Sequence, residues 1–328
     1  MPENIIQIKK VSKKFANSDR YAVEDLSIDV PRGSFVTILG TSGSGKTTLL
    51  KMINRILELT SGAILFEDRD IQTLKVENYR KQIGYVIQQI GLFPHMTVAE
   101  NIAVVPKSLG WDKKRIAERG NYLLELVHLE PWHYKNRYPS QLSGGEQQRV
   151  GLARAMAAEP AVMLMDEPFG AIDSLTRQSL QDELLEIHKK LEKTILFVTH
   201  DIHEAFKLGD RVIIMNHGKV QQYDSPYNIL FHPANEFVTR LVKSENILEK
   251  LQVLRASSIS APVQGKADLR APRVREDDTL TAVLEKFLES GLPSLLVESR
   301  EGNIEGQILW NSLRSIAALK NGEIEYYV

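Results

Sequence analysis

The chain has 328 residues, 43% of them hydrophobic and 25% charged, enough for two domains with sizeable cores. Its 41 Lys+Arg against 42 Asp+Glu leave a net charge of −1, which excludes the basic excess expected of a nucleic-acid binder. The absence of Cys excludes disulfides, thiolate metal sites and Cys nucleophiles. No uncharged apolar run approaches the roughly 18 residues of a membrane span, and the N-terminal residues lack a signal-peptide pattern. The expectation is a soluble chain whose tie to a membrane, if any, runs through a partner.

Residues 4–30 alternate loosely, with Ile6, Ile8 and Val11, then Val23, Leu26, Ile28 and Val30. The pattern predicts two strands of a β edge joined by the polar loop Ala16 to Arg20. Phe15 and Tyr21 flank that loop, each able to stack on a base. Pro31-Arg-Gly33 makes a turn, and the apolar run Phe35 to Leu39 feeds Gly40-Thr41-Ser42-Gly43-Ser44-Gly45-Lys46-Thr47. This stretch fits G-x-x-x-x-G-K-[ST], a phosphate-binding loop between strand and helix. Gly40, Gly43 and Gly45 permit backbone angles closed to other residues, so successive N–H groups can turn toward one anion. The helix that follows points its positive end at the same place. Lys46 would set an ammonium on the outer phosphates, and Thr47 a hydroxyl on Mg²⁺. Nucleotide binding is the expectation.

The helix opening at Lys46 carries Leu49, Leu50, Met52, Ile53 and Ile56 at helical spacing and is expected to close at Thr60-Ser-Gly62. A strand over 63–66 and a turn from Glu67 to Asp70 follow. Residues 83–88 read as a short buried strand ending in the amides Gln88 and Gln89, where a glutamine can ligate Mg²⁺ or hold a water. Thr97-Val-Ala-Glu100 fits a capping box opening a helical region to Leu129. Lys113-Lys-Arg115 reads as a solvated helix face. In Leu142-Ser-Gly-Gly-Glu-Gln-Gln-Arg149, Ser143 and Glu146 form a second box, so a helix begins at Gly144. Gly144 and Gly145 weaken its first turn by roughly 1 kcal/mol each. That cost favours close approach of an anion over a purely structural cap.

Ala161 to Met165 is a continuous apolar run, expected in a parallel strand buried on both faces. It ends in Asp166-Glu167-Pro168, two carboxylates placed where α/β sheets bind ligands. Asp166 suits an Mg²⁺ shell, and Glu167 the polarising of an attacking water. After the loop Gly170-Ala-Ile-Asp173, a helix from Leu175 to Lys190 leads to the strand Thr194 to Val198. That strand ends at Thr199-His200, and the histidine is placed to contact a γ-phosphate. A strand over 211–215, the turn Asn216-His-Gly218 and a helix started by Ser225-Pro226 carry the domain to Val242. Beyond a linker, Leu280, Val283, Leu284, Phe287 and Leu288 predict an amphipathic helix capped by Asp277 or Asp278. Strands over 294–297 and 304–309 flank the Glu301-Gly302 turn, and a last helix runs through Leu313, Ile316 and Ala317. About 60 residues make a marginal core, so this unit is expected to pair with something.

Taken in order, the motifs over residues 4–242 resemble an ABC-transporter ATPase subunit. Gly40 to Thr47 matches the Walker A loop, Gln88 the Q-loop glutamine, Leu142 to Arg149 the signature, and Met163 to Glu167 the Walker B strand with its glutamate. Asp173 falls at the D-loop aspartate and His200 at the switch histidine. The D-loop reads Gly-Ala-Ile-Asp where Ser-Ala-Leu-Asp is commoner. The fold implied is α/β, a P-loop NTPase of ABC type with a mixed-sheet core, an antiparallel β edge and a helical subdomain over about 92–160. The resemblance implies that Gly40, Thr41, Ser42, Gly43, Ser44, Gly45, Lys46, Thr47 and Thr48 hold ATP, with Phe15 on the adenine and Tyr21 second to it. Thr47, Gln88 and Asp166 would hold Mg²⁺. Glu167, His200, Gln88 and Lys46 form the implied catalytic set. Ser143, Gly144, Gly145, Glu146 and Asp173 complete the nucleotide-binding residues, because two cassettes of this family sandwich two ATP molecules.

Lys51-Met-Ile-Asn-Arg55 and Ile87 to His95 further resemble the ATPases of importers for glycine betaine, carnitine, choline and proline, although Leu59 stands where that group usually has Pro. The implied partners are a second copy of the chain, a membrane permease seated beside the Q-loop and, indirectly, a substrate-binding protein, with no nucleic-acid polymer. The implied place is peripheral, on the cytoplasmic face of the membrane. Alternatives are another solute such as an amino acid or amine, an exporter, or a soluble ABC ATPase. The domains expected are 1–242, a linker over 243–253, a single small α+β unit resembling a CBS domain over 254–320, and a tail over 321–328. Ser312 and Leu309 stand where nucleotide-binding CBS motifs carry Asp and Thr, so adenosine mononucleotides are expected to bind weakly or not at all. A cyclic dinucleotide on the two-fold of a pair is the ligand left open.

Overall fold

The computed structural model describes residues 4–16, 18–88, 91–170, 172–242, 251–263, 271–299 and 301–313. The chain divides into two compact units, Met1–Tyr223 and Asp224–Val328.

The first unit opens with an antiparallel sheet. Strands β1 (Asn4–Lys14) and β2 (Tyr21–Pro31) pair around the expected loop, and β4 (Ser61–Phe66) and β5 (Arg69–Asp70) extend the sheet in the order β2-β1-β4-β5. Between β2 and β4 the chain crosses to the central sheet as β3 (Phe35–Gly40) and helix α1 (Lys46–Ile53). Helix α2 (Val76–Arg80) precedes β6 (Ile83–Val86). Helices α3 (Val98–Ser108), α4 (Lys113–Leu126), α5 (Pro131–Tyr134) and α6 (Gly144–Met156) form the helical region. Strand β7 (Val162–Asp166), helix α7 (Ser174–Leu191), β8 (Thr194–Thr199), α8 (Ile202–Leu208), β9 (Arg211–Asn216) and β10 (Lys219–Asp224) complete the order. The central sheet runs β10-β9-β3-β8-β7-β6, with β6, β7, β8, β3 and β9 all parallel.

The continuous apolar run of β7 has a simple cause. Val162 and Leu164 belong to one core, with α1 and the antiparallel sheet. Met163 and Met165 belong to another, with α3, α4, α6 and α7. Successive strand side chains point to opposite faces, so a sheet covered on both sides needs every residue apolar.

Helix α1 ends earlier than its periodicity suggests. Arg55 turns left-handed at φ 53, and Ile56 and Leu57 both return their N–H groups to Lys51 O. Ser61 and Gly62 lie in β4 instead of closing the helix. Gly62 sits at φ 88, where a Cβ would meet Lys10 O at 2.3 Å, so it marks close strand packing. Strands β5 and β10 were not legible: β5 has two residues, and Lys219–Asp224 carries four polar side chains.

The second unit holds α9 (Pro226–Phe231) and α10 (Glu236–Val242), then β11 (Arg273–Arg275), α11 (Leu280–Ser290), β12 (Ser294–Glu298) and β13 (Ile304–Leu309). Strand β11 runs parallel and β13 antiparallel to β12. Helix α11 is capped by Thr279, which accepts from Ala282 N–H. Asp278 instead accepts from Arg275 N–H at 2.8 Å, which removes it from the capping position the sequence suggested. Residues 243–250 of the expected linker, Ile316 and Ala317 of the expected last helix, and the tail over 321–328 lie outside the described residues.

Candidate functional site

At the C-terminal ends of β3, β7 and β8 the chain opens a cleft of ≈ 420 Å³ lined by Ala22, Ser42 to Thr48, Gln88, Glu167 and His200. The loop before α1 follows from its glycines. A Cβ on Gly40 would meet Met215 O at 2.3 Å, and one on Gly45 would meet Ala22 O at 2.2 Å, with Gly45 at φ 102. Gly43, at φ 76, faces open space. Packing therefore dictates two of the glycines and backbone conformation the third. Helix α1 has no side-chain cap at its start, so its first N–H groups face the cleft without an internal acceptor from that source.

Lys46 is 6% exposed, its Nζ donating to Gly40 O at 2.8 Å and Thr41 O at 3.0 Å. Burial lowers its pKa, opposed by Glu167 and Asp166. Thr47 Oγ1 donates to Asp166 Oδ1 at 2.8 Å. Burial raises the Asp166 pKa, the Thr47 hydrogen bond opposing and the Glu167 charge adding to it. Glu167 itself sits at φ 45, a left-handed conformation that turns its side chain out of the strand's path. One carboxylate oxygen, Oε2, is shared by two flanking groups: Gln88 Nε2 at 3.3 Å and His200 Nδ1 at 3.2 Å.

These features test the fit of a polyphosphate and its cation. Ser44 Oγ is buried without a hydrogen-bond partner, an orphaned donor inside the loop. A lysine held on backbone oxygens can exchange them for phosphate oxygens. A hydroxyl and a carboxylate at hydrogen-bonding distance are hard oxygen donors of the kind Mg²⁺ takes in ones and twos beside a phosphate substrate. The donor set fits both groups.

Other expected residues lie outside this cleft. Phe15 is 41% exposed with Lys13 Nζ 5.3 Å over its ring. A neighbouring cleft of ≈ 660 Å³ shares Ala22 and Gly43 and is lined by Tyr21, not Phe15. Ser143 and Glu146 form the expected capping box at the start of α6, and Tyr134 Oη adds a 2.6 Å bond to Glu146. Gly144 faces open space, whereas a Cβ on Gly145 would meet Thr176 Cγ2 at 2.9 Å. One glycine of the pair thus has a packing reason that the sequence did not reveal. Asp173 caps α7, accepting from Thr176 N–H. Ala22 lines both clefts and carries no signal in the sequence that could have singled it out.

The family described as ABC transporter matches residues 23–170. The glycine betaine/carnitine/choline transport ATP-binding protein OpuCA of Bacillus subtilis is 42% identical over 304 residues, 93% of this chain and 78% of that protein. The glycine betaine uptake system ATP-binding protein YehX of Escherichia coli is 44% identical, covering 94% of this chain and 99% of that protein. Among solved structures, the dimeric post-hydrolysis ATP-binding cassette MJ0796 bound to ADP and Pi superimposes with a TM-score of 0.60 at 33% identity. It covers 67% of this chain and 98% of that one.

Proposed function

The chain belongs to the ABC transporter family as an ATP-hydrolysing subunit, and on that footing we propose that it powers an importer of quaternary-amine osmoprotectants of the glycine betaine, carnitine and choline class. The observation that carries the solute class is 42–44% identity, over nearly the whole chain, to relatives whose names state that transport. Among the described residues no helix is long and apolar enough to cross a membrane, so translocation is assigned to a permease partner.

For the reaction we assign roles to the residues gathered in the cleft. Lys46 would release Gly40 O and Thr41 O to bind the outer phosphates, while the loop N–H groups and Ser44 Oγ fill the remaining acceptors. Thr47 and Asp166, with Gln88, would hold Mg²⁺, which supplies neutralisation of the charge that develops on the transferred phosphoryl group. Glu167 would take the proton of the attacking water, with His200 and Gln88 orienting its carboxylate from either side. Tyr21 joins Phe15 as the aromatic proposed to stack on adenine.

The starts of α6 and α7, with Ser143, Gly144, Gly145, Glu146 and Asp173, are proposed to face the nucleotide of a second copy. The dimeric form of the related cassette supports this reading. We assign the ATPase domain to 1–242 and a single CBS-like unit to 254–320, pairing across the dimer, with a cyclic dinucleotide as its candidate ligand. The location assigned is the cytoplasmic face of the membrane.

The test is reconstitution of the chain with the permease that co-purifies with it, in vesicles. ATP-dependent uptake of labelled glycine betaine, carnitine or choline is the expected result. Uptake of an amino acid alone would replace the solute class, and efflux would reverse the direction.

A further inference from the structure

Strand β8 ends at Thr199, and His200 follows directly. What fixes this histidine is the chain on either side of it. Helix α8 starts two residues on, with Asp201 as N-cap and Glu204 at the third position, the sequence of a capping box. In α3 and α6 the glutamate at that position turns back to the N-cap N–H, Glu100 to Thr97 and Glu146 to Ser143. Glu204 does not. Asp201 Oδ1 accepts from Glu204 N–H at 3.1 Å, but Asp201 N–H donates to Thr199 Oγ1 at 3.0 Å. The Glu204 side chain is thereby left to turn inward, and the residue is 5% exposed.

Inside, Glu204 Oε2 accepts from the Thr199 hydroxyl and Oε1 from Gln181 Nε2 at 3.1 Å. Thr199 and Gln181 are buried as well. A buried carboxylate is costly unless its acceptors are filled, and the capping role leaves Glu100 exposed in α3 and Glu146 only half-buried in α6. Gln181 belongs to α7, the helix capped by Asp173. One turn earlier on the same face, Arg177 Nη1 lies 3.9 Å from Asp201 Oδ2 and Nη2 donates to Ile172 O at 2.9 Å. Helix α7 therefore holds the chain on both sides of His200, at Thr199 through Glu204 and at Asp201 through Arg177.

We propose that Glu204 is a positioning residue for His200, which with Gln181 and Thr199 ties the histidine's loop to α7. The proposal rests on the reading that His200 takes part in hydrolysis. A shift of the start of α7 then reaches His200 through side-chain bonds, independently of any contact made by the nucleotide. His200 Nδ1 keeps its place on Glu167 Oε2 only while Thr199 and Asp201 are held.

The test is steady-state ATPase kinetics with the melting temperature and ATP affinity of each variant. Glu204→Gln keeps the shape and two polar contacts, its oxygen accepting from Thr199 and its amide donating to a rotated Gln181. It is expected to stay within about twofold of the wild-type kcat, as is Thr199→Ser, which keeps the hydroxyl. Glu204→Met, similar in length but unable to bond, and Thr199→Val are expected to lower kcat about tenfold with KM and ATP affinity unchanged. In the His200→Ala background Glu204→Met should add no further loss, because the tie then has nothing to position. Should Glu204→Met fail to fold, the isosteric Thr199→Val is measured in the same cycle. A kcat unchanged in the folded variants, or a full additional loss on top of His200→Ala, overturns the proposal. His200→Ala turning over at the wild-type rate overturns the reading beneath it, and shows as such before any Glu204 variant is made.

Discussion

Two glycine-containing helix starts in the first unit look alike in sequence and differ in structure. Helix α1 begins after Gly45 with no side-chain cap, its lysine folded back and its loop glycines locked by Met215 O and Ala22 O. Helix α6 begins after Ser143 with a complete capping box, and its acceptors come from its own chain. The uncapped α1 start lies behind a glycine loop, with Lys46, Thr47, Gln88, Glu167 and His200 lining one cleft, so the groups proposed to hold an anion are gathered within one chain. A self-capped start has only Gly144, facing open space, to admit anything further. The difference teaches that the two helix starts are built to different degrees, and it fits the proposal that α1 forms a site within one chain while α6 offers a surface to a second copy.

The comparison breaks first if chemistry does not live at the α1 cleft. Glu167→Gln removes the proposed proton acceptor but leaves Thr47 and Asp166, so kcat should fall about 100-fold or more with ATP affinity retained. Lys46→Ala should lose ATP affinity as well. Equilibrium binding and turnover on the same preparations separate the two outcomes, and undiminished turnover in Glu167→Gln would remove the carboxylate from its assigned role.

The α6 side is sharpened by a substitution that should stabilise and inactivate together. Gly144→Ala meets no atom within 4 Å and should add up to about 1 kcal/mol of stability. The new methyl group stands where a partner's nucleotide is expected, so turnover should drop several-fold while the melting temperature rises. Unchanged turnover would make Gly144 a mere absence of bulk.

The smallest effect separates packing from function at the next residue. Gly145→Ala would press on Thr176 Cγ2, held by a stiff β-branched side chain, and should cost about 1 kcal/mol. Thr176→Ser removes the opposing methyl and should restore most of that stability in thermal melts. A stability loss that Thr176→Ser leaves untouched would place the strain elsewhere.

Much of this was legible because periodicity and motif coincide. The apolar run of β7, the glycine loop and both capping boxes state their own geometry, and Asp166, Glu167 and His200 stand at strand ends where parallel sheets gather ligands. Long-range relations were not legible. Nothing local says that Gly145 abuts Thr176, that Glu204 turns in to Thr199 and Gln181, or that Ala22 borders the cleft. Most of these join elements well separated in sequence, and Glu204 stands at the spacing of a capping residue while its side chain bonds to Thr199 and Gln181. The Thr279 cap of α11 has a local cause instead: three adjacent residues could each cap, and Asp278 is taken by the turn it closes with Arg275 N–H, three residues back.

The central claim is that hydrolysis needs the α1 cleft of one chain and the α6 start of another. Ser143→Arg places bulk and charge at α6 and should leave ATP binding by the single chain near normal while abolishing turnover. Lys46→Ala disables the cleft. Mixed together, the two inactive chains form heterodimers in which one shared site carries both lesions and the other carries neither. The account predicts that ATPase activity returns on mixing and tracks the heterodimer fraction separated by two affinity tags. Isolated heterodimers without activity would contradict it.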